Sequence, residues 1–218
     1  MTARHMLRSL VAAAWIALMC VSWIGPAHAG RVSDAPDHVA RIAARLDPSP
    51  VIRGNFTQHK RVQGFRNPLV STGVFVTARG QGVLWTTQTP FASEMVVTAE
   101  RLRIRAPNGG VQELDGKREP ALKAINRLLL GLLGGDVEAL QAQFQTTAVS
   151  LQGDRWSIAL KPRDPGLARF VAEVSVRGDR HLEEVRLVEA SGDETLIRFS
   201  HHRADRQVTD VERERFSR

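Results

Sequence analysis

The chain has 218 residues, 43% hydrophobic and 24% charged, with 17 Gly, 10 Pro, one Cys and no Tyr. That balance excludes a disordered chain, which carries fewer aliphatics, and a fibrous one, which carries more Gly or Pro; one folded domain is the expectation. The net charge is +7, but the basic residues are scattered among acids. A nucleic-acid surface needs a clustered stripe with interleaved aromatics, so no nucleic-acid partner is expected.

Arg4 and Arg8 precede an apolar run from Leu10 to Ile24, and Pro26 then leads into Ala27-His28-Ala29. A basic start, a short greasy middle and a small-x-small exit describe a cleavable secretory signal over residues 1–29. At about fifteen residues the run is short of the ~20 that a membrane span needs. Cys20 lies inside that signal, and Met19 is too bulky beside it for a lipid-attachment site. The remaining 30–218 is expected to be a single domain without disulfide or thiolate chemistry.

From Asp37, the residues Val39, Ile42, Ala43 and Leu46 follow helical spacing, and Pro48 and Pro50 close the segment. Between Val51 and Leu114 the signal changes to strands, at 51–61, 69–79, 82–87, 93–98 and 101–106, punctuated by Gly, Pro or Asn. Short strands with short connections favour an antiparallel meander. A helix then starts at Pro120 and ends at Gly134-Gly135. Within it Leu122, Ile125, Leu128, Leu129, Leu132 and Leu133 share one arc. Leu130 lies off that arc and Gly131 weakens the helix, by ~1 kcal/mol relative to Ala. Such a helix is either deeply buried or covers something apolar. A shorter helical stretch, Asp136 to Gln141, follows.

Strands return at Trp156-Ile158-Leu160, alternating with Arg155, Ser157 and Lys161, at Val174-Val176, alternating with Glu173, Ser175 and Arg177, and at Ile197-Phe199, alternating with Leu196 and Arg198. One wet face and one apolar face is the pattern of an antiparallel sheet with one side on a core. The tail from His201 to Arg218 mixes five Arg with four Asp or Glu and reads as a solvated segment. The expected order is a helix, five or six strands, one or two apolar helices and about five more strands. The expected class is α+β.

Catalytic signatures do not emerge. There is no G-x-S-x-G elbow. His38, His59, His181, His201 and His202 form no H-E-x-x-H pair. His201 and His202, as neighbours on one strand, face opposite ways and read as surface histidines. Glu183-Glu184 reads as a solvated turn, and Gly80-Gln81-Gly82 as a turn between strands. No catalytic residue, metal or cofactor is expected. The pattern points to binding.

At Phe56-Thr57-Gln58 the chain begins to resemble the periplasmic LolA/LolB-type lipoprotein carriers. The helix end Ala44-Arg45-Leu46-Asp47, then Gly73, Arg79, Trp85 and Pro90, fall in that family's order over residues 37–98. Where members usually carry an Asp-Gly turn and an aromatic strand, Thr98 to Ile104 has neither, which marks a divergent LolA-type paralogue. The resemblance implies an unclosed antiparallel half β-barrel of about 11 strands, with apolar lid helices over its concave face. It implies an acyl-chain cavity lined by Leu46, Phe56, Val83, Trp85, Leu122, Ile125, Leu129 and Leu132, and a lid latch at Arg79. It further implies a monomeric, non-enzymatic periplasmic carrier of lipoproteins or glycolipid-like acylated cargo, passing between an inner-membrane exporter and an outer-membrane acceptor. The alternative reading is a non-transporting half-barrel that serves as an interaction or assembly module of the envelope.

Overall fold

The computed structural model describes residues 35–115 and 142–217. The expected signal at 1–29 and the expected apolar helices at 120–135 and 136–141 lie outside the described residues. Helix α1 spans Ala35–Ala43. Six strands follow, β1 (Val51–Arg61), β2 (Leu69–Ala78), β3 (Gly82–Thr89), β4 (Ser93–Val97), β5 (Arg101–Arg105) and β6 (Val111–Asp115). Past the undescribed segment come β7 (Phe144–Gln152), β8 (Arg155–Pro162), the short α2 (Pro165–Ala168), β9 (Val171–Gly178), β10 (Leu182–Glu189), β11 (Glu194–Asp205) and α3 (Asp210–Ser217). The five strands expected between 51 and 106 are present with ends within two residues of their expected places.

All eleven strands form one antiparallel sheet in the order β6-β5-β4-β3-β2-β1-β11-β10-β9-β8-β7. Each neighbour but one is joined by a local connection. The exception is β1 with β11, paired from Val51↔Asp205 to Arg61↔Glu194, so the first and last strands meet at the middle. The sheet is open, with β6 and β7 as its edges. This is the unclosed antiparallel architecture that the resemblance implies.

Period-two alternation sends apolar side chains to one face. Directly paired residues make two rows across it. Phe75, Trp85, Met95 and Ile104 cross β2 to β5, and Val149, Ile158, Val176, Val185 and Ile197 cross β7 to β11. Val39 and Ile42 of α1, one helical turn apart, are buried in the same cluster. The α1 helix therefore packs on this apolar face.

The opposite face is covered over its first half by α3. Val208 and Phe216 are buried there with Val51, Ala78, Leu84 and Val96. The expectation of a solvated tail is thus overturned: β11 runs to Asp205 and a packed helix follows. Its start is a capping box. The Thr209 N–H donates to Glu212 Oε2 at 2.7 Å and the Glu212 N–H to Thr209 Oγ1 at 3.2 Å. Arg53 on β1 donates to both Glu212 and Asp205, Arg215 pairs with Glu94 at 3.1 Å, and Arg101 donates to the Ser217 carbonyl at 3.1 Å.

Two smaller expectations also change. Glu183 and Glu184 belong to β10 rather than a turn, and Glu184 bridges Arg177 at 2.8 Å and Arg198 at 3.0 Å. The register skips between Leu182 and Glu184, which lets two acids sit in succession without breaking the apolar row. His202 is not an ordinary surface histidine. A bulge opposite Gly54, with His201 at φ 54°, turns His202 towards Phe75, with ring centroids 6.0 Å apart.

Candidate functional site

The centre of the apolar face is aromatic. The Phe56 ring stacks on Trp85 with centroids 3.8 Å apart, and Phe199 meets both Trp85 (6.0 Å) and Phe75 (5.2 Å) edge-on. Aromatic pairs at such distances add ~0.5–1.5 kcal/mol each beyond area burial. Two glycines make the packing possible. Gly73 pairs with Phe56, and Gly54 with Phe75, across β1 and β2. A Cβ on Gly73 would lie 2.8 Å from the Phe56 ring and 2.0 Å from the Thr86 carbonyl oxygen; one on Gly54 would lie 2.7 Å from the Phe75 ring. Each ring lies over the space that a side chain would fill.

Four of the eight residues expected to line a cavity are described. Phe56 and Trp85 are buried at the aromatic centre, and Leu46, half-buried after α1, packs against the same cluster. Val83 sits in a neighbouring cluster with Val97 and Leu102, and Met95 packs against both clusters and makes them continuous. Leu122, Ile125, Leu129 and Leu132 lie outside the described residues.

At one end of this face a polar rim holds the loop after α1. The Asp47 N–H donates to the Arg180 carbonyl at 2.8 Å, and Asp47 Oδ1 accepts from the Ser49 N–H at 2.8 Å. Hydrogen bonds from Ser49, aided by His181 and Arg180, hold the Asp47 carboxyl below its ordinary pKa. His181 lies 3.9 Å from Asp47 Oδ2 and stacks on His202 with centroids 4.8 Å apart and planes 12° apart. Burial, then the neighbouring His181, pushes the His202 pKa down.

Arg79 is exposed at the same end. Its Nη2 donates to the Asp47 carbonyl at 3.3 Å and its backbone N–H to the Pro50 carbonyl at 2.8 Å. It therefore ties the β2–β3 turn to the loop that follows α1. The helix it was expected to latch lies outside the described residues.

The sequence alone does not reveal that Phe199 meets Trp85 and Phe75, or that His202 meets Phe75. Strand periodicity places each residue on a face, but partners need the β1–β11 register. The available signal is glycine at strand centres, at Gly54 and Gly73, which marks close approach of a neighbouring group.

An eleven-stranded open antiparallel sheet with one face apolar from β5 to β7 defines the class: a half-barrel with an apolar inner surface. The model of the outer membrane lipoprotein carrier protein LolA matches residues 49–214, and the chain belongs to the LolA family. Similar solved structures include a LolA superfamily protein from Nitrosomonas europaea, at 9% identity over 80% of this chain and 94% of that one, with a TM-score of 0.47. An outer membrane lipoprotein-sorting protein domain from Vibrio parahaemolyticus is 11% identical over 84% and 97%, also with a TM-score of 0.47. A chain of the Pseudomonas aeruginosa MucA/MucB complex is 16% identical over 81% and 59%, with a TM-score of 0.40. No curated protein matches the chain.

Proposed function

We propose that the chain is a non-enzymatic periplasmic carrier that shields the acyl chains of lipoproteins or related acylated cargo during transfer towards the outer membrane. The observation that carries this reading is the apolar face, centred on Phe56 and Trp85, in a member of the LolA family. Each exposed CH₂ costs ~0.8 kcal/mol, so one sixteen-carbon chain in water costs on the order of 12 kcal/mol. An apolar sheet face offsets that cost without any covalent step. The proposal includes export by a signal cleaved after Ala29 and passage between an inner-membrane exporter and an outer-membrane acceptor.

A second reading has its own support. Val39 and Ile42 of α1 are buried in the same cluster as Phe56 and Trp85, and both aromatic residues are themselves buried. A face filled by its own side chains suits a fixed interaction or assembly module. Titration with an acylated ligand separates the two. Carriage requires an emission shift from Trp85 that is lost in Trp85→Phe, while Trp156, hydrogen-bonded to the Asp179 carbonyl at 2.6 Å, keeps its own signal. A ligand-insensitive Trp85, with no lipid extracted from the purified protein, would leave only the module.

A further inference from the structure

Large apolar side chains left exposed are not spread evenly over the described residues. In the antiparallel sheet the turns after β1 (62–68), β3 (90–92), β5 (106–110), β8 (163–170) and β10 (190–193) all lie at one end. The loop after α1, Arg79 and the histidine stack lie at the other. Phe65, Leu69, Val70, Phe91, Val111 and Phe170 all fall at the first end, with Phe91 73% and Phe65 66% exposed. Only Val211, on α3, is as exposed elsewhere among the described residues. Single exposed apolar residues are ordinary, but a set confined to one end of a sheet marks an interaction site.

The charges at that end have one sign to spare. Arg66 follows Phe65, Arg169 precedes Phe170, and Arg105 pairs across strands with Val111. All three arginines are exposed and make no ion pair among the described residues. The only acids in the five turns are Asp164 and Asp193, and both are engaged internally. Asp164 accepts from the Leu167 N–H at 2.8 Å, and Asp193 from the Gln63 N–H at 3.0 Å. The end therefore presents phenylalanines beside exposed arginines, with Arg105 opposite Glu94 across β4 and β5, on a chain of net charge +7.

We propose that this end of the sheet docks onto an anionic phospholipid surface. Phe65, Phe91 and Phe170 enter the boundary between headgroups and acyl chains, and Arg66, Arg105 and Arg169 meet lipid phosphates. The apolar residues sit on separate turns along a rim, not in one concave patch that a folded partner could fill. A flat, deformable anionic surface can meet all of them at once, and aromatic side chains beside arginine suit its interface. The contact proposed is made by side chains on turns at one end of the sheet, and no described helix is long and apolar enough to cross a membrane. The proposal goes beyond carriage and stands whether or not the apolar face takes cargo.

Flotation of the purified protein with vesicles tests it. Vesicles of phosphatidylethanolamine with one third phosphatidylglycerol should retain the protein, and pure phosphatidylcholine vesicles should not. Arg66→Gln and Arg169→Gln should each weaken retention about fivefold at low salt. The triple variant Phe65→Ser/Phe91→Ser/Phe170→Ser should weaken it at least about tenfold, whereas Val211→Ser at the other end should change nothing. These positions are exposed, so unchanged circular dichroism and melting temperature are expected throughout. Phe91→Trp gives a second readout, a blue shift on anionic vesicles with quenching by brominated acyl chains. Failure to bind anionic vesicles, equal binding to phosphatidylcholine, or an unshifted Trp at position 91 overturns the proposal and leaves the rim to a protein partner.

Discussion

Removing one carboxylate on α3 should expose how the covered side of the sheet is held. Glu212 sits where three interactions converge. It receives Arg53 from β1, caps the start of α3 through Thr209, and shares Arg53 with Asp205 at the end of β11. Hydrogen bonds from Arg53 outweigh burial and lower its pKa from 4.5 to about 2. Each pKa unit corresponds to ~1.4 kcal/mol, so the drop amounts to roughly 3 kcal/mol at neutral pH. The side chains of Arg53 and Glu212 are only 15% and 13% exposed, so solvent removes a minor part. About 2 kcal/mol is the expected cost of Glu212→Gln, since an amide still accepts the Thr209 N–H but leaves Arg53 under-paired.

The dependence on pH gives the sharper criterion. A carboxyl whose folded pKa lies below its unfolded one contributes fully above the unfolded value and loses that contribution as pH falls towards the folded value. The stability gap between wild type and Glu212→Gln should therefore be constant from pH 7 to about pH 5.5. By pH 3 it should have fallen to about half or less. Urea unfolding at pH 7, 5 and 3 measures it directly. A gap of equal size at all three would mean that the variant loses packing rather than charge pairing. No gap at pH 7 would refute the Arg53–Glu212 assignment.

The remaining expectations concern the apolar face. Gly73→Ala should destabilise by about 3 kcal/mol, because its Cβ would press on a backbone carbonyl as well as on the Phe56 ring; a neutral result in chemical denaturation would contradict the close packing described. Trp85→Phe should keep the fold while abolishing any ligand-dependent emission, as set out above. Arg79→Leu should cost under about 1 kcal/mol, because the residue is exposed and its side-chain bond to Asp47 is long. If Arg79 also latches a cover over the cargo, the variant should load cargo normally and release it slowly. Loading and transfer measured separately decide this, and unimpaired transfer removes Arg79 from the site.

The meander from β1 to β5 is legible because its segments are rich in Val, Thr and Phe and most are separated by Gly, Pro or Asn, although Val83, Leu84 and Trp85 are buried in succession. What hides the rest is local disguise. In α3 the charges of Asp210, Glu212, Arg213 and Arg215 look like a solvated tail, yet Thr209-Asp210-Val211-Glu212 is a capping-box sequence, and Val208 and Phe216 supply the apolar anchors. In β10 consecutive acids interrupt the alternation, and only the register slip after Leu182 shows that a strand continues. At His201 a left-handed backbone adds a residue to the strand, and the shifted alternation turns His202 to the side of His181. Of the candidate site, Phe56 and Trp85 are legible through the family resemblance, at Phe56-Thr57-Gln58 and at the central Trp of β3. Their meeting with Phe199 is not, because it depends on pairing the first strand with the last.

That same pairing explains how one sheet can be held firmly and still leave a face for binding. β1 and β11 meet at the middle of the sheet, where a chain that closes on itself pays its largest entropic cost, since its ends are farthest apart in sequence. The ion pairs of Arg53 with Asp205 and Glu212 join β1, β11 and α3 on the face opposite the aromatic cluster. Arg215 with Glu94, and Arg101 with the end of α3, extend the fastening to β4 and β5. Phe216 and Val208 add apolar burial on that side alone. On that side this half is fastened by contacts that do not involve Phe56, Trp85 or Phe199. Rearrangement of α1 or of those rings around an acyl chain would leave the fastening untouched. In the carrier proposed above, a sheet secured from behind in this way would let the occupant of the apolar face change without a change of register.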